Sequence, residues 1–246
     1  MSEDPNSSNA TTGTREGATP AAESVPGGWR QSKWLIIAEL CVVALIFTAD
    51  ERKLIPFSKT PFILAFAWIS LRVRGLRWRN VGLSLYRNWG ATIGYGIAVG
   101  VVLEAFQLFV SQPILVHVLG KQPDLELFRA LRGDIKWTAL ALLGTWTLAA
   151  FGEEMVYRGY LMNRVADLMN RTRTAWVVSL ILVHVAFGLA HAYQGITGVI
   201  DEGLAGLLFG VLYLRTGRKL ALPIVAHGLG DTIDFILIFL GKYPGM

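Results

Sequence analysis

The chain has 246 residues, of which 53% are hydrophobic and only 17% are charged. Soluble domains carry about 25% charged residues, so the composition excludes an ordinary soluble globular protein and indicates a protein embedded in a membrane. The net charge of +5 comes from basic residues bunched in short loops beside apolar runs. This arrangement favours the anionic surface of a membrane over nucleic acid as a partner.

In chain order, residues 1–30 come first. They are rich in Ser, Thr, Gly, Ala, Pro and Glu, which is typical of a disordered cytoplasmic tail. Residues 31–246 are predicted to form one membrane-embedded domain, whose polar motifs are concentrated at about 137–240. The candidate spanning helices of this domain are the apolar runs 34–49, 56–73, 89–112, 137–157, 174–192, 196–214 and 221–240.

The predicted fold class is therefore all-α, a polytopic transmembrane helical bundle of about seven spans. Between the third and fourth runs, the segment 122–133 carries Leu125, Phe128 and Leu131 at helical spacing with charges between them. This pattern predicts an amphipathic helix that lies at the membrane interface.

The loop charges predict an orientation. Arginines are concentrated in the loops that follow the second, fourth and sixth runs, whereas the loop 192–196 holds neither Lys nor Arg. The positive-inside rule assigns such alternate basic loops to the cytoplasm. We therefore expect an integral, multi-pass membrane protein with a cytoplasmic N-terminus.

Ionisable side chains within apolar runs cost about 2.5–3.5 kcal/mol each on the insertion scale and are functional hypotheses by default. In the first half of the chain, Glu39 and Glu104 each stand alone in a run. The second half holds the larger set: Glu153, Glu154, Arg158, His184, His191, Asp201, Glu202, His227, Asp231 and Asp234.

The stretch FGEEMVYRGY, residues 151–160, ends the fourth apolar run. On a helix, Glu154 and Arg158 are four residues apart and can pair. Glu153 is rotated from Glu154 by about 100° and cannot share that face. The pattern predicts a structural Glu154–Arg158 pair and a reactive Glu153; the alternative is a helix end whose charges are solvated.

Two later stretches carry histidines. FGLAH places Phe187 and His191 on one helical face, and HGLGD places His227 and Asp231 four residues apart, where a carboxylate can fix an imidazole. Taken singly, the first is also typical of an interfacial histidine, and the second of a polar stripe that joins helices through hydrogen bonds.

Considered together, the three stretches indicate hydrolysis. One Glu and two His residues can activate a water molecule and hold an oxyanion, which is the minimum for peptide hydrolysis without a nucleophilic Ser or Cys. A Glu and two His residues are also a known set of catalytic zinc ligands, so a metal site stays open at this point.

The stretches EEMVYR, FGLAH and HGLGD also fit the motifs EExxxR, FxxxH and Hxxx(N/D), in that order. In these motifs the chain resembles the CPBP family of intramembrane proteases, which includes the type II CAAX prenyl endopeptidases and the bacterial Abi proteins of bacteriocin processing and immunity. The flanking stretches RGLRWRNVGLSL and YLRTGRKLALPIVAHGLGD are similar to the family as well. The resemblance covers about residues 70–240.

The resemblance implies an intramembrane endopeptidase that cleaves near the C-terminus of a prenylated, CAAX-type or related membrane-associated peptide. It implies that Glu153 is the general base and that His191 helps it to activate the attacking water. His227 and the residue at position 231 would stabilise the oxyanion. The implied partners are a peptide or lipidated protein substrate and membrane lipid, without nucleic acid.

The resemblance also implies supporting roles for Glu154 and Arg158, which would hold the helix geometry, and for Phe187, which would pack beside the site. Asp231 departs from the prenyl proteases, which usually have Asn there. Asn can donate a hydrogen bond to an oxyanion, whereas an ionised Asp cannot. Asp231 is therefore protonated, or it orients His227, or it serves a metal.

The family is often labelled a metalloprotease family, but the implied roles of the residues need no metal. We therefore expect no cofactor. The alternative is zinc bound by Glu153, His191 and His227.

Two other classes of function compete with the protease. In a non-enzymatic immunity factor or scaffold of the same family, the polar faces would only hold the helices together. In an ion- or proton-coupled transporter, Glu104, Asp201, Glu202 and Asp234 would act as relay groups. The sequence shows no internal repeat, which argues against the transporter.

Overall fold

The computed structural model describes residues 28–245, so most of the predicted tail at 1–30 lies outside the described residues. Every regular element in the described range is helical. The α-helices are α1 (Lys33–Glu51), α2 (Lys59–Val73), α3 (Trp89–Phe106), α4 (Gln112–Leu119), α5 (Ile135–Gly144), α6 (Met162–Leu168), α7 (Arg173–Leu189), α8 (Gly195–Arg215) and α9 (Ala221–Phe239).

Shorter or wider helical segments join several of these α-helices. The 3₁₀ segments are Trp29–Gln31, Trp78–Val81, Glu126–Leu131 and Ala192–Gln194, and the π-helical segments are Gln107–Ser111 and Thr145–Leu161. Each predicted apolar run coincides with a helical segment, which confirms the all-α fold class.

Three helices are long and apolar enough to cross a membrane by length and composition: Trp89–Leu119, Ala192–Arg215 and Ala221–Phe239. Helix α7 is also apolar but shorter. These segments support a membrane protein, while the count of seven spans and the orientation stay predictions.

The amphipathic segment between α4 and α5 differs from its prediction. Instead of an α-helix over 122–133, the chain forms a 3₁₀ helix over Glu126–Leu131. Because a 3₁₀ turn holds three residues, Leu125, Phe128 and Leu131 still share one face. Phe128 packs against Phe235 of α9 with ring centroids 5.5 Å apart, and Leu131 is buried.

The isolated Glu39 of α1 finds its partners on α2. It forms an ion pair with Arg74 at 2.7 Å and accepts a hydrogen bond from the Ser70 hydroxyl at 2.6 Å, all within buried surroundings. The Tyr160 hydroxyl in turn donates to Ser70. The Glu39–Arg74 ion pair thus joins α1 to the end of α2, and Ser70 links both to Tyr160 in the second half of the chain.

Residues 135–168 form one continuous helix, in which α5 and α6 flank the π segment Thr145–Leu161. We call it the composite helix. π-Helical turns are rare and often mark functional sites. At the start of the segment, the Thr147 hydroxyl donates to the Leu143 carbonyl at 2.6 Å, so a side chain competes for a backbone acceptor there. The composite helix carries Glu153, Glu154 and Arg158.

Glycines allow the apolar helices to approach closely. The buried face of α3 is Thr92, Gly96, Gly100 and Glu104, at every fourth position, and it packs against α9. A Cβ atom on Gly100 would lie 2.6 Å from the Ala226 carbonyl oxygen. Small residues at such spacing are typical of close helix packing in membranes.

Helices α7 and α8 meet in the same way, at Gly188. A Cβ atom there would collide with the Val199 carbonyl oxygen and lie 3.0 Å from the Gly203 Cα atom, both of which are backbone. We expect Gly188→Ala to force the helices apart and to lower the free energy of unfolding by about 1–3 kcal/mol. Gly94→Ala on α3 is the matched control, because a Cβ atom there has no neighbour within 4 Å.

Unfolding of both variants in a mild detergent, compared with the wild-type protein, measures the difference. The control is expected to be neutral or slightly more stable, since alanine restricts the unfolded chain. Equal stability of the Gly188 and Gly94 variants would contradict the close approach of α7 and α8.

Candidate active site

A cavity of about 360 Å³ lies between the composite helix, the turn after α7, and α9. Glu153, His191, His227 and Asp231 all line this cavity. Its other polar lining residues are Ser58, Thr60, Thr145, Tyr193, Gln194, Glu202, Asp234 and Tyr243. The structure thus brings together, in one wall, four predicted residues that are spread over 79 positions of the sequence.

His227 is held by a carboxylate from another helix. Its Nδ1 atom lies 2.9 Å from Oε1 of Glu154, which also accepts from Nη1 of Arg158 at 2.8 Å. Glu154 and Arg158 are both 0% exposed. An ionised carboxylate can only accept, so the proton of this bond belongs to Nδ1 of His227, and Nε2 is left for other partners.

The predicted ion pair of Glu154 and Arg158 is therefore present, but Glu154 has a second task that the spacing did not predict. One of the three alternatives for Asp231 was that it orients His227, four residues away on the same helix. Its Oδ1 atom lies 3.6 Å from Nε2 of His227, which is too long for a hydrogen bond. Glu154 orients the imidazole, and Asp231 acts on it by charge.

Arg158 is enclosed by groups from two other helices. Its Nη2 atom donates to the Gly206 carbonyl of α8 at 2.8 Å. The guanidinium lies 4.8 Å from the ring centroid of Phe187 and 5.6 Å from that of Phe209, which are cation–π distances. Phe209 also stacks on the imidazole of His227, with centroids 5.1 Å apart.

His191 lies just beyond the end of α7, at the start of the 3₁₀ turn Ala192–Gln194. Its Nδ1 atom is 2.9 Å from the Phe187 carbonyl oxygen. A carbonyl only accepts, so Nδ1 carries a proton and, in a neutral ring, Nε2 keeps its lone pair. The imidazole packs between Phe187 and Tyr193, with centroids 4.7 and 5.8 Å away. Phe187 thus supports both His191 and Arg158.

Glu153 differs from the neighbouring Glu154. It is partly exposed in the cavity wall, and within the described range no side chain forms a hydrogen bond or ion pair with it. The adjacent carboxylates are therefore in opposite situations, one buried and paired, the other open to a water molecule.

Further acidic residues surround the site, three of which, Glu104, Glu202 and Asp234, the sequence also offers as relay groups of a transporter. Glu104, Glu202, Asp231 and Asp234 line a small adjoining cavity of about 30 Å³ together with His227. A volume of this size is on the scale of a single water molecule. In the sequence, the feature that places Asp234 near the site is its position three residues after Asp231, on the same helical face.

Tyr243 lies beyond the end of α9 and completes the cavity wall. Gln112 donates to its hydroxyl oxygen at 3.2 Å. Burial, and then the charge of Asp234, raises the pKa of the Tyr243 hydroxyl well above its ordinary value. The phenol therefore stays protonated and can donate a hydrogen bond.

The possible metal ligands in the described part of the chain are not clustered. Within residues 28–245, no three His, Cys, Asp or Glu side chains are grouped closely enough to hold a metal ion. Glu153, His191 and His227 share one cavity, and both the absence of a cofactor and the zinc alternative stay predictions.

Comparison with known protein families bears on the same segment. Residues 135–233 match the family model described as type II CAAX prenyl endopeptidase Rce1-like. This segment, which is less than half of the chain, is similar to the Rce1-like family. Neither the curated proteins nor the solved structures include a significant match. The Rce1-like segment contains every residue proposed from the three motifs, from Glu153 to Asp231.

The match confirms the family resemblance inferred from the motifs. It also supports a peptidase, because the Rce1-like family is a protease family. The domain begins with α5 and ends within α9, so it spans the composite helix, α7 and α8. The roles of individual residues stay predictions.

The buried pair gives a prediction for stability. We expect Arg158→Met to lower the free energy of unfolding by about 3–5 kcal/mol, because it leaves the Glu154 carboxylate buried without its cation. Arg129→Met is the matched control: Arg129 pairs with Glu126 at 3.2 Å, but the two side chains are 73% and 66% exposed. Loss of such a surface pair costs about 0–1 kcal/mol.

Denaturant unfolding of the two purified variants in the same detergent measures both values. A similar, small effect of both substitutions would show that Arg158 is not required to compensate a buried charge.

Proposed function

We propose that the protein is an intramembrane endopeptidase that cleaves a peptide bond near the C-terminus of a prenylated, CAAX-type or related membrane-associated peptide. The supporting observation is the meeting of Glu153, His191, His227 and Asp231 in one cavity wall of the Rce1-like domain. Both imidazoles are anchored through Nδ1, and each therefore has Nε2 available.

Water is the proposed nucleophile, and Glu153 is its general base. An unpaired carboxylate in the cavity wall can accept a proton from a water molecule, and His191 can hold that water through Nε2. The water oxygen then forms a bond to the carbonyl carbon of the scissile peptide, and the carbonyl electrons move to its oxygen. The result is a tetrahedral intermediate with one negative charge.

His227 is proposed to stabilise this oxyanion. A buried carboxylate on the Nδ1 side of an imidazole favours the imidazolium form, which donates from Nε2. Asp231 lies 3.6 Å from that atom, and its negative charge adds to the preference for the imidazolium. This role accounts for Asp at position 231, where the prenyl proteases usually have Asn. An ionised Asp231 cannot donate a hydrogen bond to the oxyanion, but it can stabilise the positive charge of His227.

The intermediate collapses when the carbon–nitrogen bond breaks. The proton that Glu153 took from water passes to the departing nitrogen, so the products are a carboxylic acid and an amine, and Glu153 is again ionised. The step consumes one water molecule and needs no further reactant. The proposed roles use no cofactor.

The cavity is also lined by apolar side chains, which suit a membrane-associated peptide. Leu125, Leu127 and Phe128 come from the segment before α5, and Phe235 and Ile238 come from α9. A pocket of about 360 Å³ lies within the usual range for ligand sites. We propose that these side chains bind the apolar residues near the cleaved bond.

The structure gives one argument against the non-enzymatic immunity or scaffold alternative. A polar group that only joins helices should be bonded to a neighbouring helix, as Glu154 is to His227. Among the described residues, Glu153 has no such bond, although it lies in the same turn. A purely structural role accounts for Glu154 and leaves Glu153 without a function.

Substitution of the proposed catalytic groups tests this function. We expect Glu153→Gln, His191→Gln and His227→Gln each to reduce cleavage by at least about 10²-fold, since general acid–base groups contribute 10²–10⁴. Glu51→Gln and His117→Gln are matched controls on exposed positions away from the cavity, and we expect them to keep full activity.

Cleavage would be followed by mass spectrometry with purified protein, using a farnesylated peptide, the same peptide without its lipid, and an unprenylated leader peptide. Thermal unfolding of each variant shows whether the fold is retained. Normal cleavage by a folded Glu153, His191 or His227 variant would refute the assigned role, and an absence of cleavage of all peptides by the wild-type protein would favour the non-enzymatic alternative.

The proposal also predicts the effect of metal removal. Because the proposed chemistry uses only Glu153, His191, His227 and water, we expect the rate of cleavage to be unchanged after treatment with 1,10-phenanthroline or EDTA. A zinc protease treated in parallel verifies that the chelators act under the assay conditions. Loss of cleavage that added zinc restores would overturn the metal-free mechanism.

A further inference from the structure

A second and larger cavity, of about 730 Å³, lies where the basic loops of the chain meet. It is formed by the N-terminal 3₁₀ turn, the connection from α2 to α3, the connection from α6 to α7, and the turn between α8 and α9. It shares no lining residue with the candidate active site. Its volume lies within the range of small-molecule sites.

The wall of this cavity is strongly cationic. Its charged lining residues are Arg30, Lys33, Arg74, Arg164, Arg171 and Arg218, with Asp167 as the acid among them, and Gln31, Asn80 and Asn170 add amides. Arg74 and Arg164 are only 5% and 2% exposed. Cations gathered in one concave wall create a positive potential that attracts anions.

The carboxylates on the protein neutralise only part of this charge. Arg74 is paired with Glu39, and Arg164 and Arg171 share Asp167 at 2.8 and 2.7 Å. In residues 28–245, no carboxylate pairs with Arg30, Lys33 or Arg218. A surplus of cations around one cavity is unfavourable unless an anion compensates it.

The arginines are held in place before any ligand binds. Arg171 and Arg218 both pack on the indole of Trp176, with Cζ atoms 4.9 and 5.0 Å from the ring centroid. Arg171 also donates to the Asn163 side-chain oxygen at 2.8 Å. One aromatic ring thus keeps two like charges close together, although they repel each other.

The backbone of the same wall adopts an uncommon conformation. Asn170, Arg171 and Arg218 have φ values of 56°, 54° and 63°, in the left-handed region that residues other than glycine seldom occupy. Such conformations persist where the surrounding structure fixes them, and they cluster at ligand-binding sites. The surplus of cations, the buried arginines and the positive φ values therefore all occur in the wall of the same cavity.

We propose that this cavity binds a phosphate group, either in the headgroup of an anionic lipid or as free phosphate. The planar guanidinium group matches phosphate oxygens with two parallel hydrogen bonds. Basic pockets between membrane helices, near the membrane surface, are suited to anionic headgroups. The apolar outer surface of the neighbouring helices would let a lipid enter with its chains in the bilayer.

A binding experiment distinguishes the two sources of phosphate. The full chain, purified in a neutral detergent, is titrated with phosphatidylglycerol, with phosphatidylcholine, and with inorganic phosphate, and bound molecules are counted by native mass spectrometry. Binding of phosphatidylglycerol in preference to phosphatidylcholine supports the lipid headgroup. Binding of inorganic phosphate, or its competition with phosphatidylglycerol, supports free phosphate. An absence of both would overturn the proposal.

Substitutions locate the binding. The combined variant Arg30→Ala, Lys33→Ala and Arg218→Ala removes the cations that lack a carboxylate partner, so it leaves the ion pairs intact. At roughly fivefold for each cation, we expect about 100-fold weaker binding of phosphatidylglycerol. The matched control is Arg72→Ala, Arg77→Ala and Arg79→Ala, which removes the same charge from neighbouring positions outside the cavity.

The control variant is expected to bind phosphatidylglycerol like the wild-type protein. If both triple variants lose affinity equally, the attraction is a general property of the basic surface, and the cavity is not a site. Thermal unfolding of each variant without lipid shows that a change in affinity does not follow from loss of the fold. Peptide cleavage is not a readout here, so the result is independent of the proposed function.

Discussion

The buried ion pair of Glu154 and Arg158 is the interaction on which the rest of the candidate site depends. Neither side chain has any exposed surface, and a lone charge at such depth would be very costly. The pair is stabilised by contacts from three other helices: Gly206 of α8 accepts from Arg158, Phe187 of α7 packs on it, and His227 of α9 bonds Glu154. Each of these helices can therefore take only one position relative to the composite helix.

This constraint explains why two adjacent glutamates are needed. If one carboxylate had to compensate Arg158, orient His227 and accept a proton from water, the first two bonds would hold its charge and weaken it as a base. The chain separates these tasks by one position. Glu154 is enclosed and pairs with Arg158, whereas Glu153 lines the cavity and has no hydrogen-bond or ion-pair partner among residues 28–245. Glu154 bonds the imidazole of His227, and in the proposed mechanism the neighbouring Glu153 accepts the proton of the water.

The sequence was informative wherever local spacing decides the outcome. Apolar runs predicted the helical segments, and a separation of four residues predicted the Glu154–Arg158 pair. It did not predict contacts between distant parts of the chain: Glu154, which bonds Nδ1 of His227, lies 73 positions away, whereas the spacing pointed only to Asp231 on the same helix. Periodicity also cannot separate an α-helix from the π segment or the 3₁₀ turn, because a few residues of each show similar apolar spacing.

The composite helix relates the two cavities to each other. Arg164, in the wall of the basic cavity, follows Glu153 by eleven residues on this helix. The separation is at most roughly 16 Å, because most of this stretch is π-helical and rises less per residue than an α-helix. The hydrocarbon core of a bilayer is about 30 Å thick. If the basic cavity holds headgroup phosphates, the helix places Glu153 close to the middle of the membrane. Bulk water is scarce at that depth. The polar side chains of the cavity, including Glu202, Asp234 and Tyr243, would then hold the reacting water molecule through hydrogen bonds.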